Sequence, residues 1–263
     1  MDITFDLGRF AALTATGAVV GLAVGLTGVG GGSLMTPALI SLFRVSPVIA
    51  IGTDLAFAAI TKTAGLVAHR RSGLVQWRIA LLMIAGSVPA CLLALAWMVH
   101  LEVNNPAPQT MSLIQHSLGF ALLATAFSLA FKDRLHRWVK PVPDKYRPAI
   151  ALTASALIGA LVAFSSIGAG AIGCTAIALI FRELDTKDIA ATDIVYAIPL
   201  TSIAAIGHAW AGHLDVVLLS ALLVGSVPAV YLGIRLSKRI SNGISRNLLT
   251  GVLLLAATKS LLS

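Results

Sequence analysis

The stretch GLTGVGGGSL, Gly25 to Leu34, interrupts an otherwise apolar run near the start of the chain, and its reading decides the fold. Gly28, Gly30, Gly31 and Gly32 can adopt positive φ and let a ligand approach the backbone closely, while Ser33 and Leu34 open a new apolar segment. A second break, AFSSIGAGAI, Ala163 to Ile172, lies about half a chain further on with small residues at matching places.

Composition sets the medium around these breaks. The chain of 263 residues is 57% hydrophobic and 11% charged, far from the roughly 45–50% apolar and 25% charged of a soluble domain. Its mean hydropathy is +0.91. Apolar stretches of about 20 residues, enough helix to cross about 30 Å of hydrocarbon, recur from end to end. The fold class is therefore an all-α polytopic membrane protein. A net charge of +8 does not indicate nucleic acid, because Lys and Arg gather in short loops between spans, as positive-inside topology requires. The opening MDITFDLGRF lacks the basic n-region of a signal peptide and is expected to be the mature start. Cys91 and Cys174 each lie in an apolar run and supply neither a disulfide framework nor a CxxC metal site. Packing is their default role, with a reactive thiol at Cys174 as the alternative; no cofactor is expected.

Pro, Gly and charge clusters bound spans near 10–27, 47–69, 79–99, 111–131, 149–167, 188–209, 216–235 and 244–262. Two shorter pieces, 33–43 and 171–181, directly follow the breaks. At about 11 residues, some 16 Å of helix, neither crosses alone. They are half-helices or arms of re-entrant hairpins, and their unpaired backbone must face protein or a water-filled cavity. The loops carrying Arg70, Arg71 and Arg78, then Lys132 to Arg147, then Arg235 to Arg246 are basic and should be cytoplasmic. His100 to Thr110 and Gly212 to Asp215 contain no Lys or Arg and should be outside, which puts both termini outside.

The breaks belong to an internal repeat. GSVPA occurs at Gly86 to Ala90 and again at Gly225 to Ala229. At that spacing His69 falls on His208, Thr53 on Thr192, and Asp54 on Asp193. Shifted by one residue, Gly30 meets Gly168, Gly32 meets Gly170 and Thr27 meets Ser165. Each half holds five segments, an odd number, so the second half should be inverted relative to the first. That is a 5+5 inverted repeat, the plan in which discontinuous helices of secondary transporters meet at the midplane around substrate. The halves are 1–131 and 149–263, joined by a basic, Pro-containing cytoplasmic linker, 132–148.

Several polar groups inside this plan can carry chemistry. The first turn after each break offers free N–H groups and a positive dipole end suited to an anion, and Ser165 and Ser166 add hydroxyl donors beside Gly168 and Gly170. The alternative is close helix packing through small residues. Thr53-Asp54 and Thr192-Asp193 lie early in their spans, so they either cap helix N-termini or couple and gate transport. Lys62, mid-span and about two turns beyond Asp54, has three readings: contact with a substrate anion, an ion pair back to Asp54, or snorkelling to the interface. Its repeat mate is Thr201. His69 and His208 form either a pH-responsive gate or polar packing at the interface. Tyr196, a turn after Asp193, donates into the cavity or packs. Trp77, Trp97, Trp138 and Trp210 sit near span ends, as an aromatic belt requires.

The glycine-rich opening GLTGVGGGSLMTPAL with Pro37, IGTDLAFAAITKTAG from Ile51, HRRSGLVQWR with Gly73 and Trp77, and the echo ATDIVYAIPLTSIAAIGHAWAGHLD resemble the TauE/SafE family of membrane anion exporters. The similarity covers almost the whole chain. It implies a carrier moving sulfite, thiosulfate or organosulfonates outward across the bacterial cytoplasmic membrane. The second break departs from the family pattern, with SSIGAGAIGC in place of a richer glycine run and no proline matching Pro37. The expected function is alternating-access transport of such an anion between the two breaks, with protons as coupling partners and the bilayer as surroundings. Two rivals are an intramembrane aspartyl hydrolase using Asp54 and Asp193 as a dyad, and a passive anion channel.

Overall fold

A computed structural model describes residues 7–27, 32–69, 74–104 and 107–237. The described residues are helical, without a strand. The helices are α1 (Leu7–Thr27), α2 (Gly32–Phe43), α3 (Pro47–His69), α4 (Trp77–Asn104), α5 (Ala107–Trp138), α6 (Arg147–Ser165), α7 (Ala171–Ile180), α8 (Thr186–Trp210) and α9 (Val216–Ser237). A 3-10 turn, Asp144–Tyr146, precedes α6.

Six of these helices, α1, α3, α4, α6, α8 and α9, are long and apolar enough to cross a membrane. The expected span 111–131 lies within the 32-residue α5, of which His116–Ser128 is an apolar stretch among the described residues. The span expected at 244–262 lies outside the described residues. The short segments are helices of 12 and 10 residues, α2 and α7, directly after the two breaks. The 132–148 segment is helical up to Trp138, leaving a short connection to α6.

Helices α3 and α8 form the centre. Burial covers 72% and 56% of their apolar windows, against 28–39% for the other four, so those four present their remaining apolar surface outward, including Val19, Leu93, Leu157 and Val224. Helix α3 packs against α8 and α9, and α8 packs against α3 and α4. Outside them, α1 lies along α9 and α6 along α4. One core joins α1, α2, α3 and α9 around Met35, Leu39, Phe57 and Leu222. A second joins α3, α4, α6, α7 and α8 around Leu55, Met83, Ile177 and Tyr196.

Small residues bring the outer pairs into backbone contact. A Cβ at Gly21 of α1 would stand 2.6 Å from the Ser226 carbonyl of α9. A Cβ at Gly159 of α6 would collide in the same way with the Ser87 carbonyl of α4. Ser87 and Ser226 are the second residues of the two GSVPA copies, so the duplicated motif marks duplicated contacts. At one end of the molecule, Arg147 pairs with Asp144 (3.0 Å) and Glu183 (2.7 Å), and Arg182 donates to the Val139 carbonyl, tying the α5–α6 connection to the α7–α8 loop.

Because lipid offers helices no net hydrophobic attraction, these close contacts carry much of the packing. Gly159→Val should cost about 1–3 kcal/mol through overpacking, read as a lower melting temperature or loss of a monodisperse peak in detergent. Gly65→Ala, where an added Cβ meets nothing within 4 Å, should leave melting unchanged or raise it.

Candidate functional site

The site is built where the second break meets the two central helices. Helix α6 ends with Ser165, and Ser166 turns left-handed at φ 59, a conformation costly for a residue other than glycine. Gly168 and Gly170 follow at φ 130 and 149, which glycine tolerates. Ser165 stabilises the break itself: its hydroxyl donates to the Leu161 carbonyl (2.7 Å) and accepts the Ile167 N–H (3.2 Å). Helix α7 then begins with no side-chain cap at Gly170, and its first turn closes through the Cys174 N–H to the Gly170 carbonyl (2.7 Å).

Ser166, freed by its unusual backbone, reaches α3. Its hydroxyl donates to Oδ2 of Asp54 at 3.0 Å, and the Thr36 hydroxyl of α2 donates to the same oxygen at 2.5 Å. Asp54 is fully buried, and its Oδ1 has no hydrogen-bond partner. Both short helices following a break therefore lie beside this carboxylate or lead away from it.

Asp193 of α8, also fully buried, has a different neighbour. Lys62 of α3, 3% exposed, extends its ammonium to Asp193 Oδ2 at 3.3 Å, 131 residues away in sequence. Cys174 and Tyr196 approach the same carboxylate. The phenol falls short of hydrogen-bonding geometry, leaving its hydroxyl and Asp193 Oδ1 unsatisfied. Gly173 makes room for both: a Cβ there would stand 3.0 Å from Tyr196 Cζ and closer still to the two oxygens. Lys62 also lines a cavity of about 30 Å³ with Val24, Gly25, Thr61, Gly65 and Ile194. That is room for water, not for an oxyanion of several heavy atoms.

The two threonines beside the carboxylates do not cap their own helices. Asp54 and Asp193 each lie two turns inside α3 and α8, so the capping reading does not hold. Instead Thr192 Oγ1 accepts the N–H of Gln76, just before α4 (3.1 Å), and Thr53 Oγ1 accepts the N–H of Asp215, just before α9 (3.2 Å). Asp215 is itself the cap of α9, its carboxylate accepting the Leu218 N–H at 2.9 Å. Each central helix thus anchors the start of an outer one.

Of the remaining residues singled out in the sequence, Gly28, Gly30 and Gly31 lie outside the described residues. Gly32 and Ser33 open α2, and His69 closes α3; their side chains are also outside the description. Thr201 donates to the Ala197 carbonyl of its own helix (2.8 Å) and is not gathered into the site. His208, 1% exposed, bonds the Ala163 carbonyl of α6 through Nε2 at 2.9 Å, a buried link between helices. Lys62 pairs with Asp193 rather than with Asp54 in its own helix. Among the described residues the two carboxylates share no hydrogen-bond partner, whereas a hydrolytic dyad holds one proton between its two carboxylates. Sequence reasoning missed Thr36 and noted Cys174 only as a candidate reactive thiol, not as a neighbour of Asp193. They occupy matching positions when the two breaks are superposed, which was the available signal. No three His, Cys, Asp or Glu side chains gather as a metal site among the described residues.

The family model described as "Sulfite exporter TauE/SafE" matches residues 13–260. The chain is 34% identical over 248 residues to a probable membrane transporter protein, YjnA, of Bacillus subtilis, covering 92% of this chain and 96% of that one. It is 27% identical over 216 residues to another, YdhB, of the same organism, covering 82% and 85%. A probable membrane transporter protein of Xylella fastidiosa is 43% identical over 68 residues, 26% of each chain. No solved structure matches.

Removing one partner of a buried ion pair leaves an uncompensated charge and costs about 3–5 kcal/mol, whereas replacing both with apolar groups is close to neutral. Lys62→Met should therefore lower the melting temperature sharply, and Lys62→Met with Asp193→Leu should recover most of the loss. Equal melting of single and double variants would rule out the pair as a structural link.

Proposed function

We propose that this chain, which belongs to the TauE/SafE family of membrane transporters, is a secondary transporter exporting small sulfur-containing anions by alternating access. Sulfite, thiosulfate and organosulfonates are the substrate class, in keeping with the sulfite exporter description of the family. The observation that carries the reading is Lys62: an ammonium 3% exposed, inside a helix long and apolar enough to cross a membrane, lining a cavity while held by a carboxylate 131 residues away in the chain.

An inverted 5+5 repeat supplies the two moving halves. Its support is a set of paired contacts at repeat-related positions. Gln76 bonds Thr192 as Asp215 bonds Thr53, and Gly159 meets Ser87 as Gly21 meets Ser226. Likewise α6 lies along α4 as α1 lies along α9. In this scheme the anion sits between the breaks, Gly28 to Ser33 and Ser165 to Gly170, taking N–H donors from the helix starts and charge from Lys62. The small cavity then belongs to a state in which the substrate path is closed, and loading needs the halves to part. Asp54 and Asp193 are the carboxylates available to couple movement to protons. The membrane is the bacterial cytoplasmic one, with both termini outside, following the basic loops.

Purified protein in proteoliposomes should take up or release at least one of sulfite, thiosulfate and a short alkanesulfonate with saturation and countertransport, which a passive channel does not show. Lys62→Gln with Asp193→Asn, which removes the charges while preserving side-chain size, should lower that flux at least about tenfold, the loss of a charge-assisted contact of about 1.5–3 kcal/mol. Absence of flux for all three anions, or full flux in the double variant, would falsify this site.

A further inference from the structure

Asp54 and Asp193 stand at matching places in the repeat, each fully buried, and their surroundings match as well. Thr36 of α2 donates to Asp54, and Cys174, the corresponding residue of α7, stands against Asp193. Tyr196 beside Asp193 has Phe57 as its mate, and the charged component differs as well. Asp193 has the Lys62 ammonium at 3.3 Å, whereas the residue matching Lys62 on α8 is Thr201, which bonds its own helix.

Among the described residues, no Lys, Arg or His forms an ion pair with Asp54. Around it α2 presents Thr36, and the end of α6 presents Ser166. On the neighbouring central helix, Asp193 is engaged with Lys62 of α3, and His208 with the Ala163 carbonyl. Asp54 Oδ1 has no partner and zero exposure. A lone carboxylate so far from water is strongly unfavourable unless something positive accompanies it.

The chemistry of the seat selects what that is. Its side-chain groups are oxygens, the carboxylate and the Thr36 and Ser166 hydroxyls, with the Thr36 N–H beside the carboxylate and the C-terminal end of α6 at Ser166, the left-handed cap. At Ser166 the C-terminus of α6 presents the negative end of its dipole and favours a cation, whereas the opposite end of the break, the start of α7 after Gly170, is the end suited to an anion. Oxygen groups suit a hard cation, and a single carboxylate matches a single positive charge.

Building on the two-halved transporter reading above, we infer that Asp54, Thr36 and Ser166 form a site for one exchangeable monovalent cation, sodium or a proton. It is the counterpart of the seat that the Lys62 ammonium fills at Asp193. One half carries its cation covalently, as a lysine side chain; the other takes it from solution, and loading it there couples ion movement to the anion's.

The test is thermal melting of the purified protein in detergent, in sodium chloride against choline chloride and in acidic against alkaline buffer. A sodium site gives a rise of about 3–5 °C in sodium over choline. A proton site gives no such salt effect but a comparable rise in acid. In either case Asp54→Asn should abolish the rise. Thr201→Lys, which supplies an ammonium at the repeat position, should abolish it while raising melting in choline. Thr16→Ala, half-buried on α1 and bonded to its own helix at Ala12, should keep it. Should Thr201→Lys fail to fold, Asp54→Asn and Ser166→Ala decide, the serine variant weakening the cation's apparent affinity about tenfold or more. Either response persisting in Asp54→Asn, or neither being present in the unmodified protein, overturns the site. No transported anion enters the measurement, so a failure of the sulfur-anion assignment leaves this result standing, and the reverse.

Discussion

Charge buried between α3 and α8 governs the rest of the molecule. Lys62 and Asp193 sit on different helices, 3% and 0% exposed, and are joined at 3.3 Å. In so dry a place neither helix can slide or turn without separating the pair, and separation strands a charge. The contact therefore fixes the register of the two most buried helices. Thr53 and Thr192, next to the carboxylates, then fix where α9 and α4 begin. Polar groups at the centre thus set the position of apolar helices around it.

The outer pairs are held by a different force. Gly21 against Ser226 and Gly159 against Ser87 let backbones approach until carbonyls meet α-carbons. In lipid this dispersion contact replaces the hydrophobic driving force of a soluble core. The result is two tight pairs, α1 with α9 and α4 with α6, flanking a centre whose cohesion is electrostatic. Packed surfaces of that kind resist continuous deformation, so each pair holds together as a unit.

Most helix positions were legible in the sequence because hydrophobic length and punctuation are local properties. The start of α3 at Pro47 and the brevity of α2 and α7 follow from residues within a few positions of each boundary. The repeated GSVPA marked contacts as well as elements, since its serines meet the glycines of α1 and α6. The partner of Lys62 was not legible. Asp54, two turns away on one helix, was the only carboxylate that periodicity could offer, while Asp193 arrives from 131 residues away through tertiary packing. The threonines misled for a related reason: Thr and Asp near a predicted span start look like a cap, yet the N–H groups they serve belong to other helices. Ser166 was found as a donor, but its left-handed backbone, which turns the hydroxyl toward Asp54, leaves no local mark in the residue types.

Exact duplication gives a symmetric interior; here Tyr196 falls on Phe57 and Cys174 on Thr36, and the departure that changes charge is Lys62 against Thr201. In the proposed site, two carboxylates with no lysine would oppose the attraction of the helix starts for an anion. With Lys62 present, Asp193 is neutral in effect, and Asp54 is the remaining negative group of the central pair. A cation at Asp54 would cancel it before the anion arrives, leaving the partial positive charge of the helix starts to dominate. In the proposed cycle the cation would therefore precede the anion on loading. Its release would restore the negative interior and expel the anion, so that under this proposal one unpaired carboxylate gives the cycle an order.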